Sequence, residues 1–465
     1  MSEIYLKNYW LLNLEYIKVF SELVHHNISL PLLSNFYQYL EENVKNKMKS
    51  KGFYKYLSVA PIEEKQLQSE FEKWLPLLEQ TTKKRGPDGV VLLNTDYLRF
   101  SAGNFSHFNP EYTKILTRAK KSELYGLPTI CTLDYTNKVP DSSHIFIEKA
   151  EKIFSTYKEH PLFSNKFFQT KLLNDLPIMI EKINMAYFIF EEHDISSVIV
   201  GTTEDITNRV LTLISKSKGI PSYCLQHGAI MGEEAFFPIF ATKQIVYGEY
   251  EREWYFQRGG ADVQIEILGH PRYDDIYDKK HLEKKVLCKK LNIDPSKKII
   301  FIATQPFKTQ VYVELTKQLM KDKNITVIIK PHPWEKGRNL VSEYIHLSKV
   351  YPNVKYITTE VSIYDVISNS DLVVISNSTV GLEAMLLDKP VVVYKSKSEE
   401  RDYKYYDELS WLVTHSIENM IQTIEKVLYD SSYSTTAKQL RDYFIQKNYP
   451  QTTVTQKLQD LSRGM

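Results

Sequence analysis

Three short polar stretches in the second half of the chain carry the residue types that hold a phosphate. They are Thr304-Gln305-Pro306, Lys330-Pro331-His332-Pro333 and Ser376-Asn377-Ser378-Thr379. Each follows a run of apolar, largely β-branched residues, so each reads as the end of a strand. Lys330 offers a full charge, His332 a directional donor and Gln305 an amide. Asn377, Ser378 and Thr379 open a helix whose first backbone N–H groups lack intrahelical partners. Prolines on either side of His332 stiffen its backbone. Within that helix Glu383 is the only charge among Val380, Leu382, Ala384, Met385, Leu386 and Leu387, and a carboxylate on so apolar a helix must find donors. Sugar hydroxyls would serve. The structural alternative is that the serines cap the helix, Glu383 pairs with a neighbouring Lys or Arg, and His332 packs. Three polar strand ends in one half of the chain favour an anion site.

Group transfer to a hydroxyl also needs a base. In the first half the ionisable residues near strand ends are Asp96, Asp134, Glu204, Asp205 and His227. Glu204-Asp205 stands first, at the start of a helix where capping is the competing role. His227, in Gln226-His227-Gly228, could act as the base or donate to a phosphate or sugar oxygen. The sequence does not rank these roles.

The chain shows no Gly-rich P-loop, dinucleotide fingerprint, nucleophile elbow or zinc motif. No paired acidic motif suggests a catalytic divalent metal either. Stabilising a leaving phosphate would then fall to the helix dipole, Lys and His. No bound cofactor is expected.

Positioning these residues requires parallel strands alternating with helices. In the first half the expected strands are Val90 to Leu93, Thr129 to Leu133, Ser197 to Val200, Tyr223 to Leu225, Gln244 to Gly248 and Val263 to Leu268. A turn over Gly86-Pro87-Asp88-Gly89 precedes them. In the second half they are Lys298 to Ala303, Thr326 to Lys330, Val354 to Ile357, Asp371 to Ile375 and Val391 to Tyr394. The spacing therefore predicts an α/β protein of two Rossmann-like domains. Residues 1–275 form the first, with a helical extension over 1–85. Residues 276–432 form the second, and a helical tail, 433–465, returns to the first.

A chain of 465 residues accommodates two domains, and 43% hydrophobic with 25% charged residues describes a globular protein. The net charge of +2 gives no argument for nucleic acid. Met1 to Lys7 lacks a secretory pattern, and no apolar run approaches the ~20 residues of a membrane span. Cys131, Cys224 and Cys288 lie far apart and read as reduced core residues. These features point to the cytoplasm. Lys45, Lys47, Lys49, Lys51 and Lys55 interleave with Met48, Phe53, Tyr54 and Tyr56, which leaves open peripheral contact with a membrane's inner face or a polyanionic acceptor.

Gln226-His227-Gly228, Lys330-Pro331-His332-Pro333 and Ser378-Thr379-Val380-Gly381-Leu382-Glu383-Ala384 together resemble the two-domain GT-B glycosyltransferases, notably the capsular-polysaccharide group that includes Kdo transferases. The similarity spans roughly Ser197 to Tyr394. The His-Pro pair and Ser/Thr turn also resemble the GT-B bacterial sialyltransferases. That resemblance implies that His332, Ser378 and Thr379 touch donor phosphate and Glu383 touches ribose or nearby hydroxyls. The acidic-acidic-Gly base motif of those enzymes is interrupted here, because Glu204-Asp205 is followed by Ile206. The implied activity is metal-independent transfer of a CMP-linked, Kdo- or sialic-acid-like sugar to a glycan or lipid-linked glycan acceptor, with the domains facing across a cleft. The competing activities are a CDP-glycerol-type polyol-phosphate transferase, a UDP-sugar epimerase, and a non-catalytic nucleotide-sugar-binding partner in polysaccharide assembly.

Overall fold

The computed structural model describes residues 3–78, 89–136, 138, 142–396, 403–450 and 452–464. Of the turn expected over Gly86-Pro87-Asp88-Gly89, all but Gly89 lies outside the described residues. The chain forms two compact units, Met1–Arg272 with Thr453–Met465, and Tyr273–Thr452.

The first unit begins with the helix Glu3–Val19 and a two-stranded hairpin, β1 (Val24–His25) and β2 (Ile28–Ser29). Its main sheet comprises β3 (Val90–Asn94), β4 (Thr113–Thr117), β5 (Glu123–Leu124), β6 (Leu127–Cys131), β7 (Ile195–Val200), β8 (Ser222–Leu225), β9 (Lys243–Val246) and β10 (Ile265–Ile267). The spatial order is β10-β9-β8-β7-β3-β4-β6-β5, parallel throughout except for β5. Central strands such as β7 and β8 are covered on both faces, which is why they read as nearly unbroken apolar runs. Strand β4 was not expected. Its Thr113-Lys114-Ile115-Leu116-Thr117 has only two apolar residues, and pairing with β3 and β6 decides its state.

One face of this sheet packs against the N-terminal extension and the long helix Lys166–Glu192, with Trp10, Phe20, Phe71, Leu172 and Val198 in one core. The extension thus shares the unit's main core. Within the expected helical extension, the helix Leu67–Glu72 ends in a turn before Pro76.

The second unit's sheet comprises β11 (Lys298–Ala303), β12 (Ile325–Lys330), β13 (Val354–Tyr356), β14 (Leu372–Ile375), β15 (Val391–Tyr394) and β16 (Val413–Thr414). All pairs are parallel, in the order β13-β12-β11-β14-β15-β16. This is the doubly wound Rossmann arrangement, with its change of winding direction between β11 and β14. In the first unit the corresponding change lies between β3 and β7.

Two boundaries differ from the sequence reading. The units join at Arg272/Tyr273 rather than 275/276, and the chain re-enters the first unit at Thr453 rather than 433. The helix Ser431–Asn448 stays with the second unit because Phe444 stacks on Tyr406 and Arg441 reaches Asp388 (3.3 Å). The short helix Thr455–Ser462 belongs to the first unit. There Leu458 enters the core beside Val91 and Leu93, Thr455 Oγ1 accepts from Asn104, and Leu461 O accepts from the Tyr223 hydroxyl.

Candidate functional site

In the second unit the loops after β11 and β12 are joined through one buried carboxylate. Glu335 is 1% exposed and accepts from the Thr304 hydroxyl, the His332 backbone N–H (3.0 Å) and the Tyr344 hydroxyl (3.2 Å). Three donors balance the desolvation of a buried anion. The spacing His332-Pro333-Trp334-Glu335 is a capping box with Pro at the first helical position. That spacing was visible in the sequence, although Glu335 was not singled out.

The same cap orients the imidazole. The Trp334 backbone N–H donates to His332 Nδ1 (3.1 Å), so Nδ1 presents its lone pair and the ring proton sits on Nε2. His332 is therefore organised as a directional donor, half-buried at a strand end. Next to it Phe307, 89% exposed with φ +66°, packs on Trp334 (ring centroids 5.1 Å apart), and Arg338 covers the indole (4.1 Å). Gln305 lies half-buried in the β11 loop. Lys330, expected to face the anion, donates its ammonium to Thr358 O, beyond the β13 side of β12. Burial holds its pKa below the usual lysine value.

The turn after β14 is buried, with Asn377 at 9% and Ser378 at 7% exposure and Thr379 half-buried. Ser376 Oγ donates to Tyr394 O (2.9 Å), Ser378 Oγ accepts from Val380 N (3.3 Å), and the Tyr406 hydroxyl donates to Ser378 O. Glycine is needed at 381 because a Cβ would stand 2.5 Å from Ile375 Cδ1 and 2.7 Å from the Tyr406 hydroxyl. Glu383 lies inside the following seven-residue helix at 2% exposure. The Thr304 and Ser376 loops occupy the two sides of the winding change, where open α/β sheets bind ligands.

In the first unit Asp96, Glu204 and Asp205 follow β3 and β7, the two strands at the other winding change. Asp205 caps the helix Ile206–Ser217: its oxygens accept from Asn208 N (2.9 Å) and Asn208 Nδ2 (2.6 Å). Burial raises its pKa, and Asp96 adds to the effect. Asn208 in turn accepts from Asn94 Nδ2 at the end of β3 (2.7 Å). Glu204 accepts from Asn35 of the extension (2.9 Å). Beside it Arg209 is spent on the carbonyls of Leu32, Ser34 and Thr203. Asp134 lies in a one-turn helix after β6.

His227 is placed differently. Its ring stacks on Phe236 (centroids 4.7 Å, planes 5° apart) and meets the edge of Tyr97 (6.0 Å). Burial, with a smaller contribution from Arg99, lowers its pKa to about 4, so the imidazole is neutral near pH 7. Beneath its loop Gln226 donates to Gly228 O (2.8 Å) and Glu251 Oε1 (3.2 Å), and accepts from Tyr247 N (3.3 Å). Glu251, fully buried, also accepts from Gly248 N (3.0 Å), and burial raises its pKa to about 7. Its signal in the sequence was the Gly248-x-x-Glu251 spacing after a strand.

The loop after β3 was not singled out beyond Asp96. Tyr97 (φ +63°) and Arg99 (φ +55°) both adopt the left-handed conformation, a costly choice for such side chains that marks functional loops. Gly201 locks that loop against β7: a Cβ there would lie 2.2 Å from Tyr97 C. Among the described residues no group of three or more His, Cys, Asp or Glu side chains is placed to hold a metal ion.

Residues 245–455 match the model of the CDP-Glycerol:Poly(glycerophosphate) glycerophosphotransferase family, a span that contains the whole second unit. Among curated proteins no sequence matches this chain. Of solved structures, Anabaena Alr3699/HepE in complex with UDP-glucose is 15% identical with a TM-score of 0.51, over 81% of this chain and 100% of that one. A putative UDP-N-acetylglucosamine 2-epimerase from Listeria monocytogenes is 11% identical with a TM-score of 0.52, over 80% and 95%. The wall teichoic acid polymerase TagF, soaked with CDPG, is 13% identical with a TM-score of 0.47, over 86% and 93%. The fold is that of the GT-B glycosyltransferase-like proteins, as the motif resemblance implied.

Proposed function

We propose that the protein is a transferase that takes a nucleotide-activated polyol phosphate, of the CDP-glycerol type, and passes its phosphoryl-linked group to a hydroxyl of a glycan or poly(polyol phosphate) acceptor. The observation that carries this reading is the family match over residues 245–455, which coincides with the unit holding the His332 cap. In the second unit His332 Nε2–H donates to the donor's phosphate. Gln305 and the Asn377-Ser378-Thr379 turn surround the same group, and Glu383 meets the ribose or nearby hydroxyls, while Lys330 stays on Thr358 O. As the acceptor oxygen attacks phosphorus, the bond to the nucleoside monophosphate breaks and the nucleotide leaves with the electron pair.

In the first unit His227 takes the acceptor's hydroxyl proton. It is neutral at working pH, and its orientation is set by Phe236 and the Gln226–Glu251 network. Asp205 is the weaker candidate, because both its oxygens are already engaged by Asn208. Transfer from a CMP-linked Kdo- or sialic-acid-like sugar is the second reading, supported by the His-Pro and Ser/Thr motifs.

Equilibrium binding of CDP-glycerol, CMP, UDP and GDP to the full chain and to His332→Ala tests the donor. Tightest binding of the CDP compound, weakened about tenfold or more in the variant, is expected. Preference for CMP over CDP-glycerol would favour the sugar reading, and preference for UDP would defeat both. An acceptor mass gain containing phosphorus separates polyol-phosphate from sugar transfer.

A further inference from the structure

The chain's positive and negative residues nearly balance, 59 against 57, yet residues 43–62 contain five lysines and no acid. This segment is most of the helix Glu42–Met48, the 3-10 turn Lys51–Tyr56 and the irregular stretch that follows. A solvated face normally intermixes both signs, so the run calls for another explanation.

The corner is rigid. Val44, Met48 and Phe53 are buried in the main core, and Asn8 Nδ2 donates to Met48 O (2.8 Å) and Ser50 O (3.0 Å). What this frame holds outward is cationic and aromatic: Lys47, Lys49, Lys51 and Lys55 are exposed, with Tyr54 at 59% and Tyr56 at 54% exposure. Lys45 is drawn back onto Glu42 (3.0 Å) and the Tyr37 ring. The nearby acids are turned to other tasks: Glu41 accepts from Asn165 (2.8 Å) and buried Glu15 from Ser58 N (2.6 Å).

We propose that this corner is a docking surface for a bilayer containing anionic lipid. Lysines on a fixed frame meet lipid phosphates, and exposed tyrosines between them suit the headgroup layer, where an apolar ring with a polar tip is stable. A soluble polyanion would use the lysines alone and leave the two rings in water. The contact is peripheral: no helix among the described residues is long and apolar enough to cross a membrane. The inference does not depend on the proposed reaction.

Flotation of the full chain with vesicles tests it, using phosphatidylcholine alone and phosphatidylcholine with about a third phosphatidylglycerol. Binding only to the anionic vesicles, reversed by high salt, is expected. Each lysine at an anionic surface contributes about fivefold, so Lys47→Gln/Lys51→Gln/Lys55→Gln should weaken partition about a hundredfold. Tyr54→Ser/Tyr56→Ser should weaken it several-fold at unchanged charge. All five positions are exposed, and unchanged far-UV circular dichroism confirms folding. The proposal is overturned if the full chain ignores anionic vesicles, if the triple variant binds as tightly, or if soluble polyphosphate retains the chain while vesicles do not.

Discussion

Removing the buried Glu335 carboxylate, which ties the loops after β11 and β12 together, should destabilise the second unit. Glu335→Ala removes the acceptor of three donors: the Thr304 and Tyr344 hydroxyls can rotate toward other partners, and the His332 N–H keeps only its longer bond to Thr304 Oγ1 (3.3 Å). Hydrogen bonds to an ionised group contribute about 1.5–3 kcal/mol each, and losing one buried partner leaves the others desolvated. The expected cost is therefore roughly 3–5 kcal/mol. Thr304→Val, which removes a single hydroxyl at constant shape, should cost about 1–2 kcal/mol. Once Glu335 is gone that hydroxyl has no carboxylate to lose and only its longer acceptance from the His332 N–H remains, so the double variant should fall short of the additive cost by about 1 kcal/mol. Hydrogen-exchange mass spectrometry over residues 298–350 in a urea series reads the second unit separately from the first. Costs that add within about 0.5 kcal/mol, or an unshifted Glu335→Ala, would refute the network.

Replacing the proposed base should be felt in rate rather than stability: His227→Ala is expected to lower kcat by about 10²–10⁴-fold, read in single turnover. Asp205→Asn, a changed helix cap, should cost about 1 kcal/mol in denaturant midpoint and at most a few-fold in rate. Glu251 supplies a pH signature. Its folded pKa of about 7 exceeds the ordinary 4.5, so the folded protein holds a proton there that the unfolded chain releases. Its stabilisation is full below about 4.5 and lost as pH rises through about 7, on the order of 3 kcal/mol at most. His227, lowered from 6.5 to about 4, has the opposite slope, with stability gained as pH rises through that window. Glu251→Met should therefore leave stability rising more steeply between pH 5 and 7 than in the wild type. Denaturant midpoints across that range check the slope, and an unchanged slope would place Glu251 outside the titration.

Much of the architecture was legible because fully covered parallel strands are continuous apolar runs, as in Ile299 to Ala303 and Leu372 to Ile375. The polar residues at their ends were legible too, since Thr304, His332 and Ser376 interrupt such runs. Strand β4 was hidden because Thr113 to Thr117 depends on its neighbours on both sides. The tail was misplaced because a helical period says that Ser431–Asn448 is a helix but not which surface its Phe444 meets.

By itself the sequence determined the alternation of strands and helices, hence the Rossmann class, and the polar residues that close its strands. Tertiary structure alone decided which polar groups are already committed. Asp205 turned out to be a cap filled by Asn208, Lys330 a hook on Thr358, and Glu335 the shared anchor of Thr304 and His332. The physical reason is that periodicity is a local property recorded in consecutive residues. A side chain's partner, burial and proton affinity are set by atoms from loops remote in sequence. The lowered proton affinity of His227, caused by burial and to a smaller extent by Arg99, is the clearest instance.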